Sequence, residues 1–227
     1  MVQSLNLSGI VNVFRAIRNA RLIMPHMVVD VESLDIIWLS DIRQIDFVKL
    51  KEQGVRVMAF DKDNCLTAPY VNHVPESFES SWKLCKDTFG HDRVIIVSNS
   101  AGTADDANHQ QISCLKCLAI ISSNVEKSLG VNVLRHTLKK PAGGQALLQR
   151  FENIAKPHQI AMVGDRLLTD VLFGNLNGTI TILTRRIISD KGDNQMAAMI
   201  RRFEHRLLDA LQSRRVQAPN VNEEQHD

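Results

Sequence analysis

The sequence predicts an α/β protein, a three-layer arrangement in which a parallel sheet is covered by helices on both faces, and three observations lead there. Five short, nearly unbroken apolar runs recur at 57–60, 93–97, 131–134, 159–163 and 179–184. Runs of that length without polar alternation suit strands buried on both faces. Segments of helical periodicity lie between them, and alternation of strand and helix builds a parallel sheet with right-handed crossovers. Four of the runs end in polar groups, at the end of the sheet where open α/β proteins bind ligands.

Residues 1–27 come first, with Arg15, Arg18 and Arg21 and no acid. A helix over 8–24 would place Ile10, Val13, Phe14, Ile17 and Ala20 on one stripe, and Pro25 ends the pattern. An import signal, a helix lying in a membrane interface and an ordinary packing helix all fit this pattern. The run 28–39 mixes strand-like and turn-like residues and receives no assignment. A helix is predicted over 41–53, capped by Ser40 or Asp41 and stopped by Gly54. Pro75 opens the next, which runs to Phe89 with Phe78, Trp82, Cys85 and Phe89 at core spacing. Further helices are predicted over 144–155 and 169–176. The main domain spans 28–190. Beyond it, 191–216 forms a helix with Met196, Met199, Ile200, Phe203, Leu207 and Leu211 on one stripe and Arg201, Arg202 and Arg206 beside or opposite it. That stripe suits docking on the sheet, on a neighbouring subunit in a homo-oligomer, or a basic face toward a membrane. Residues 217–227 read as a polar, disordered tail.

Composition narrows the function. With 44% apolar and 23% charged residues the chain is an ordinary globular protein, and a net charge of +2 is too small to imply nucleic acid. No apolar run approaches the roughly 20 residues that a membrane-spanning helix needs, so any membrane contact is expected to be peripheral. Cysteines at 65, 85, 114 and 117 do not form a disulfide framework in a chain of 227 residues, which points to a reducing compartment.

The chemistry-bearing residues sit where the strands stop. Asp61 and Asp63 follow 57–60, one residue apart, so an extended chain sends both to one side. Carboxylates this close repel unless one is protonated or a cation lies between them, and Mg²⁺ prefers oxygen ligands that bridge to a phosphate. Taken alone, a D-x-D pair is equally a loop with two solvated acids. Ser98 and Asn99 end the next strand, where helix capping is the alternative reading. Lys139, Lys140 and Pro141 follow the third, Asp165 ends the fourth, and Asp170 stands five residues on. Together these groups suit one phosphate and one Mg²⁺.

The stretches DKDNCL, SNS, KKP and GDRLLTD, in this order over 61–170, resemble the four motifs of haloacid dehalogenase-like phosphohydrolases. DKDNCLTAPY, SNSAGT, VLRH with KKPAGG, VGDRLLTD and the N-terminal SGIVNVFRAIRN resemble, more narrowly, the mitochondrial phosphatidylglycerophosphate phosphatases of fungi. The resemblance implies a Rossmann-like sheet with a minimal cap or none. It implies Asp61 as nucleophile, Asp63 as general acid and base, Ser98 with the Asn99 backbone as phosphate ligands, and Lys140 as the cation holding nucleophile and phosphate. It also implies a Mg²⁺ site of Asp61, the Asp63 backbone carbonyl, Asp165 and Asp170. The implied substrate is phosphatidylglycerophosphate, on an anionic membrane surface at the matrix face of the mitochondrial inner membrane, in cardiolipin synthesis. A soluble phosphatase of the same chemistry and an inactive scaffold are the other readings. Two departures stand out. Cys65 replaces the superfamily's usual Thr and is read as a buried small residue. The stretch 104–130 is longer than the family's single helix, with 112–123 (ISCLKCLAIISS) as an apparent insertion; its C-x2-C lacks a second pair for zinc.

Overall fold

The computed structural model describes residues 18–29, 41–99, 115–136, 138–185, 188 and 195–221, with backbone only at 28, 29, 115–119, 121 and 195–197. In chain order the elements are β1 (Met27–Val29), α1 (Phe47–Glu52), β2 (Val57–Phe60), α2 (Glu79–Phe89), β3 (Val94–Ile96), α3 (Leu115–Leu129), β4 (Asn132–Val133), α4 (Gly144–Phe151), β5 (Ile160–Gly164), α5 (Leu172–Leu176), β6 (Ile180–Thr184) and α6 (Gln195–Ser213). The six strands form one sheet in the order β1-β6-β5-β2-β3-β4, and every pairing is parallel. From β2 the chain lays β3 and β4 on one side and then returns to lay β5 and β6 on the other. The crevice between β2 and β5 is therefore the topological switch point, where sheets of this kind take ligands.

Strand pleating divides the core between two layers of helices. Met58, Phe60, Val94, Ile96 and Val163 face Phe47 and Leu50 of α1, Trp82 and Cys85 of α2 and Leu129 of α3. The Trp82 ring meets Phe60 edge-on at 5.4 Å. Val57, Ala59, Ile95 and Met162 face Leu147 and Phe151 of α4 and Phe173 of α5. A third cluster joins Ile23 and Met24 to Leu172, Leu183, Leu208 and Leu211, so α6 packs near β6. The α/β reading holds, and the described chain between β2 and β3 adds only a loop, two 3-10 turns and α2.

Several expected boundaries shift for local reasons. The helix over 41–53 is two pieces, a 3-10 turn Ile42–Gln44 capped by Asp41 and then α1 capped by Asp46, whose Oδ1 accepts from the Lys49 N–H at 2.9 Å. A second capping aspartate offers the backbone a fresh start and breaks the run. Gly54 ends it with φ 97°, as the stop signal required. Of the helix over 8–24, residues 8–17 lie outside the described residues; Arg18 is helical, and Asn19 then breaks the run and caps a 3-10 turn, Ala20–Ile23. The unassigned run 28–39 contributes the end of β1; the rest of it is outside the described residues. Within 104–130, residues Leu115–Leu129 form one continuous helix, so the described part of the apparent insertion lengthens α3.

One histidine ties the two ends of the described chain to β6. The Thr181 N–H donates to His26 Nδ1 at 3.1 Å, and His26 Nε2 lies 2.9 Å from the Pro219 carbonyl. A nitrogen that accepts beside one that donates defines the neutral ring with its proton on Nε2. Burial holds the His26 pKa below 6.5, opposed by the Pro219 hydrogen bond. A base with a depressed folded pKa favours folding fully above the unfolded value, and that stability is lost as pH falls below it. The stability that the wild-type chain holds over His26→Asn should therefore shrink on going from pH about 7 to about 5. Urea titrations at the two pH values measure it.

Candidate active site

Three carboxylates converge on the switch-point crevice. Asp61 leaves β2 with its N–H donating to the Val163 carbonyl at 2.8 Å, which holds it against β5. Asp165 comes directly after β5. Asp170 comes from a π-helical turn, Leu167–Val171, and its Oδ2 accepts from the Arg166 N–H at 3.2 Å. Gly164 makes that approach feasible, because a Cβ there would meet the Asp170 Cβ at 2.4 Å. One carboxylate oxygen from each aspartate lies within 4.8 Å of the others.

Lys140 enters from the loop after β4 and lies between two of them. Its Nζ donates to Asp61 Oδ1 at 2.7 Å and to Asp170 Oδ1 at 2.6 Å, and the side chain is almost wholly buried. The Asn99 side chain fastens this lysine's backbone at both groups: Oδ1 accepts from the Lys140 N–H at 2.7 Å and Nδ2 donates to its carbonyl at 3.4 Å. Buried Ser98 ends the same strand segment, and its carbonyl lies 3.2 Å from His136 Nε2. His136 Nδ1 lies 2.5 Å from the Leu138 carbonyl, so this ring links the ends of β3 and β4. The expected helix start after Asn99 lies outside the described residues.

The charges do not balance. Burial, then Asp170 and Asp63, push Asp61 up to about 6 against the pull of Lys140. Burial with Asp170 and Asp61 pushes Asp165 up to about 8, opposed by Arg201 and Arg166. Burial would lower the Lys140 pKa, but Asp170 and Asp61 outweigh it and raise it well above the ordinary lysine value. Three buried carboxylates facing one lysine and one arginine make an all-oxygen, electron-rich pocket, which is the donor set a hard divalent cation prefers. The residues present fit such an ion.

Asp63 stands apart from the trio. Its carboxylate pairs with buried Lys62 and accepts from the Tyr70 N–H at 3.2 Å. Lys62 also donates to the Val71 carbonyl at 3.0 Å, which closes the 62–71 loop on itself. Asn64 and Tyr70 both take left-handed backbone, with φ 64° and 62°. Asp63 is thereby held one residue beyond the trio, where its charge is still felt by Asp61.

Two residues of the site carry no motif. Arg201 of α6 is buried, and its Nε donates to Asp165 Oδ2 at 2.8 Å. It is not part of an exposed basic face, as the helical stripe suggested, because Asp165 draws it inward. Glu204, fully buried, accepts from the Leu168 N–H at 3.1 Å and pairs with Arg166 at 3.5 Å. An Arg-x-x-Glu spacing inside an otherwise amphipathic helix was the available signal. Cys65 is buried, as expected for a small core residue, and burial first, then the neighbouring aspartates, raise its thiol pKa well above the ordinary value, so it is not a nucleophile.

A parallel sheet that gathers an aspartate, a lysine and two further acids from successive strand ends, with Ser98 alongside, is the architecture and motif order of the haloacid dehalogenase-like class. Residues 7–189 match the model of the mitochondrial PGP phosphatase family, and the chain belongs to that family. It is 34% identical over 208 residues to the chloroplastic and mitochondrial phosphatidylglycerophosphate phosphatase 1 of Arabidopsis thaliana, a match covering 91% of this chain and 53% of that protein, about half its length. It is 29% identical over 210 residues to the mitochondrial phosphatidylglycerophosphatase of Saccharomyces cerevisiae, covering 91% and 99%. A Bacillus subtilis protein named as a probable phosphatase is 29% identical over 176 residues, covering 77% and 88%. No described helix is long and apolar enough to cross a membrane.

Proposed function

We propose that this chain hydrolyses the terminal phosphate monoester of phosphatidylglycerophosphate, releasing phosphatidylglycerol and phosphate, as a step toward cardiolipin. The observation that carries the chemistry is Lys140 bridging Asp61 and Asp170 inside the carboxylate trio. The relatives' printed names support the lipid.

In this reading Asp61 Oδ attacks phosphorus and forms an aspartyl-phosphate while the P–O bond to the glycerol oxygen breaks. Asp63 gives that oxygen its proton. It then takes a proton from water, which attacks phosphorus and frees Asp61. Lys140 holds Asp61 in line and faces the charge that builds on the equatorial oxygens. Ser98, with the Asn99 N–H, takes a phosphoryl oxygen. Asp61, the Asp63 carbonyl, Asp165 and Asp170 would hold Mg²⁺, which supplies charge neutralisation between nucleophile and phosphate. Oxygen-only donors favour Mg²⁺ over softer metals.

The substrate's acyl chains remain in a bilayer, so the enzyme works peripherally. The family's name and two mitochondrial relatives support a mitochondrial setting, with the matrix face of the inner membrane as the proposed side. The test compares phosphate release from detergent-dispersed phosphatidylglycerophosphate with release from a panel of soluble monoesters, each with Mg²⁺ and with EDTA. Preference for the lipid and silence in EDTA are expected. Equal or better turnover of a soluble ester would move the substrate class toward that of a soluble phosphatase. Silence on every ester with Mg²⁺ present would leave a scaffold.

A further inference from the structure

We infer that the outward face of α6, together with the tips of the loops carrying Tyr70 and Leu138, is the surface that seats this protein on an anionic bilayer. The inference deepens the lipid reading above and rests on it. Nine large apolar side chains are exposed among the described residues; Met199 and Phe203 share a face of α6, and Tyr70 and Leu138 lie on loops that also carry site residues. Tyr70 is 72% exposed while its N–H holds Asp63. Leu138 is exposed two residues before Lys140. Met199 and Phe203, 58% and 61% exposed, are four residues apart on α6 and share one face, opposite the one from which Arg201 reaches Asp165. Scattered surface hydrophobics are ordinary, but an apolar pair on one helix face beside like charges marks an interaction surface.

Charge selects the occupant. The exposed residues of α6 around Met199 and Phe203 are Arg202 and Arg206, and the next outward charge, Asp209, is paired with Arg185 at 2.9 Å. Cations flanking apolar side chains on one helix face suit anionic headgroups with the apolar groups sunk at the acyl boundary. A two-fold contact between copies would instead set this arginine face against itself. The inward face of the same helix holds Asp165 through Arg201, so a docked α6 keeps the crevice about one helix diameter from the headgroups.

Vesicle sedimentation of the intact chain, without substrate, tests this. Vesicles of phosphatidylcholine containing phosphatidylglycerol should retain the protein more strongly than phosphatidylcholine alone. Met199→Ser with Phe203→Ser should weaken partition about tenfold, and Arg202→Gln with Arg206→Gln should remove the preference for anionic vesicles. Circular dichroism melts check that both variants fold. Tyr70→Asn, chosen because Asn tolerates positive φ, should weaken partition in the same direction. Variants that bind as well as wild type would overturn the inference. So would failure of the wild-type chain to bind, or light scattering in which the serine variant converts a dimer to monomer with vesicle binding unchanged. Turnover of dispersed lipid without vesicle binding refutes this surface and leaves the function standing; vesicle binding without lipid turnover does the reverse.

Discussion

Asp61→Asn should abolish phosphate release, by roughly four orders of magnitude or more, while the denaturation midpoint in EDTA stays level or rises. The two halves of this expectation come from different physics. An amide cannot attack phosphorus, so the first transfer has no nucleophile. Its Oδ1 can still accept from Lys140, whose Nζ lies 2.7 Å from that position, so the loop after β2 keeps its tether. Meanwhile one of three clustered negative charges is gone, and the repulsion that pushes Asp165 and Asp61 upward is relieved. A site arranged for reaction is commonly less stable than its inert variant. Phosphate assays beside urea titrations check both parts, and retained turnover would remove Asp61 from the nucleophile role.

Lys140→Met should fail differently. Methionine fills much the same volume, but Asp61 and Asp170 then face each other with their shared cation removed. Breaking a buried ion pair from one side costs about 3–5 kcal/mol, because the remaining charge is uncompensated. Stability should therefore fall at neutral pH and recover on acidification. The variant's carboxylates are raised further in the folded state, and a raised acid loses folding free energy as pH climbs. Activity should fall with it, by about three orders of magnitude, since the same amine faces the charge that develops on the phosphoryl group. Midpoints measured at two pH values, with turnover at the higher one, test this. A variant as stable as wild type at neutral pH would mean that another cation already serves the pair.

Asp61, Ser98 and Asp165 were legible because each follows a buried strand closely, where a polar side chain has no reason of its own to be. Lys140 and Asp170 lie farther on, in the loop after β4 and the turn after β5, and were legible through the motifs they belong to; the sheet that brings all five together arises from apolar runs alternating with helices. Features that depended on distant partners were not legible. β1 is three residues long and exists by pairing with β6, some 155 positions later. In α6 the stripe read from periodicity included Met199 and Phe203, which are exposed, while Arg201 and Glu204 face inward. Hydrophobic spacing assumes an apolar interior; Leu208 and Leu211 meet one, but the interior facing Arg201 and Glu204 is Asp165, Arg166 and the Leu168 N–H, so there charged residues are buried. The break near Asp46 was a local contest between two aspartate caps.

The family model's match ends at residue 189, short of Arg201 and Glu204, although the matches to the Arabidopsis and Saccharomyces proteins, each over 91% of the chain, run past both. A polypeptide cut at residue 189 would retain every sequence signature of the reaction and still lack the guanidinium that faces Asp165. The motif set is thus not a detachable module. One wall of the crevice comes from a helix that carries none of the four motifs, so a chain with the motifs alone would lack the charge that faces Asp165.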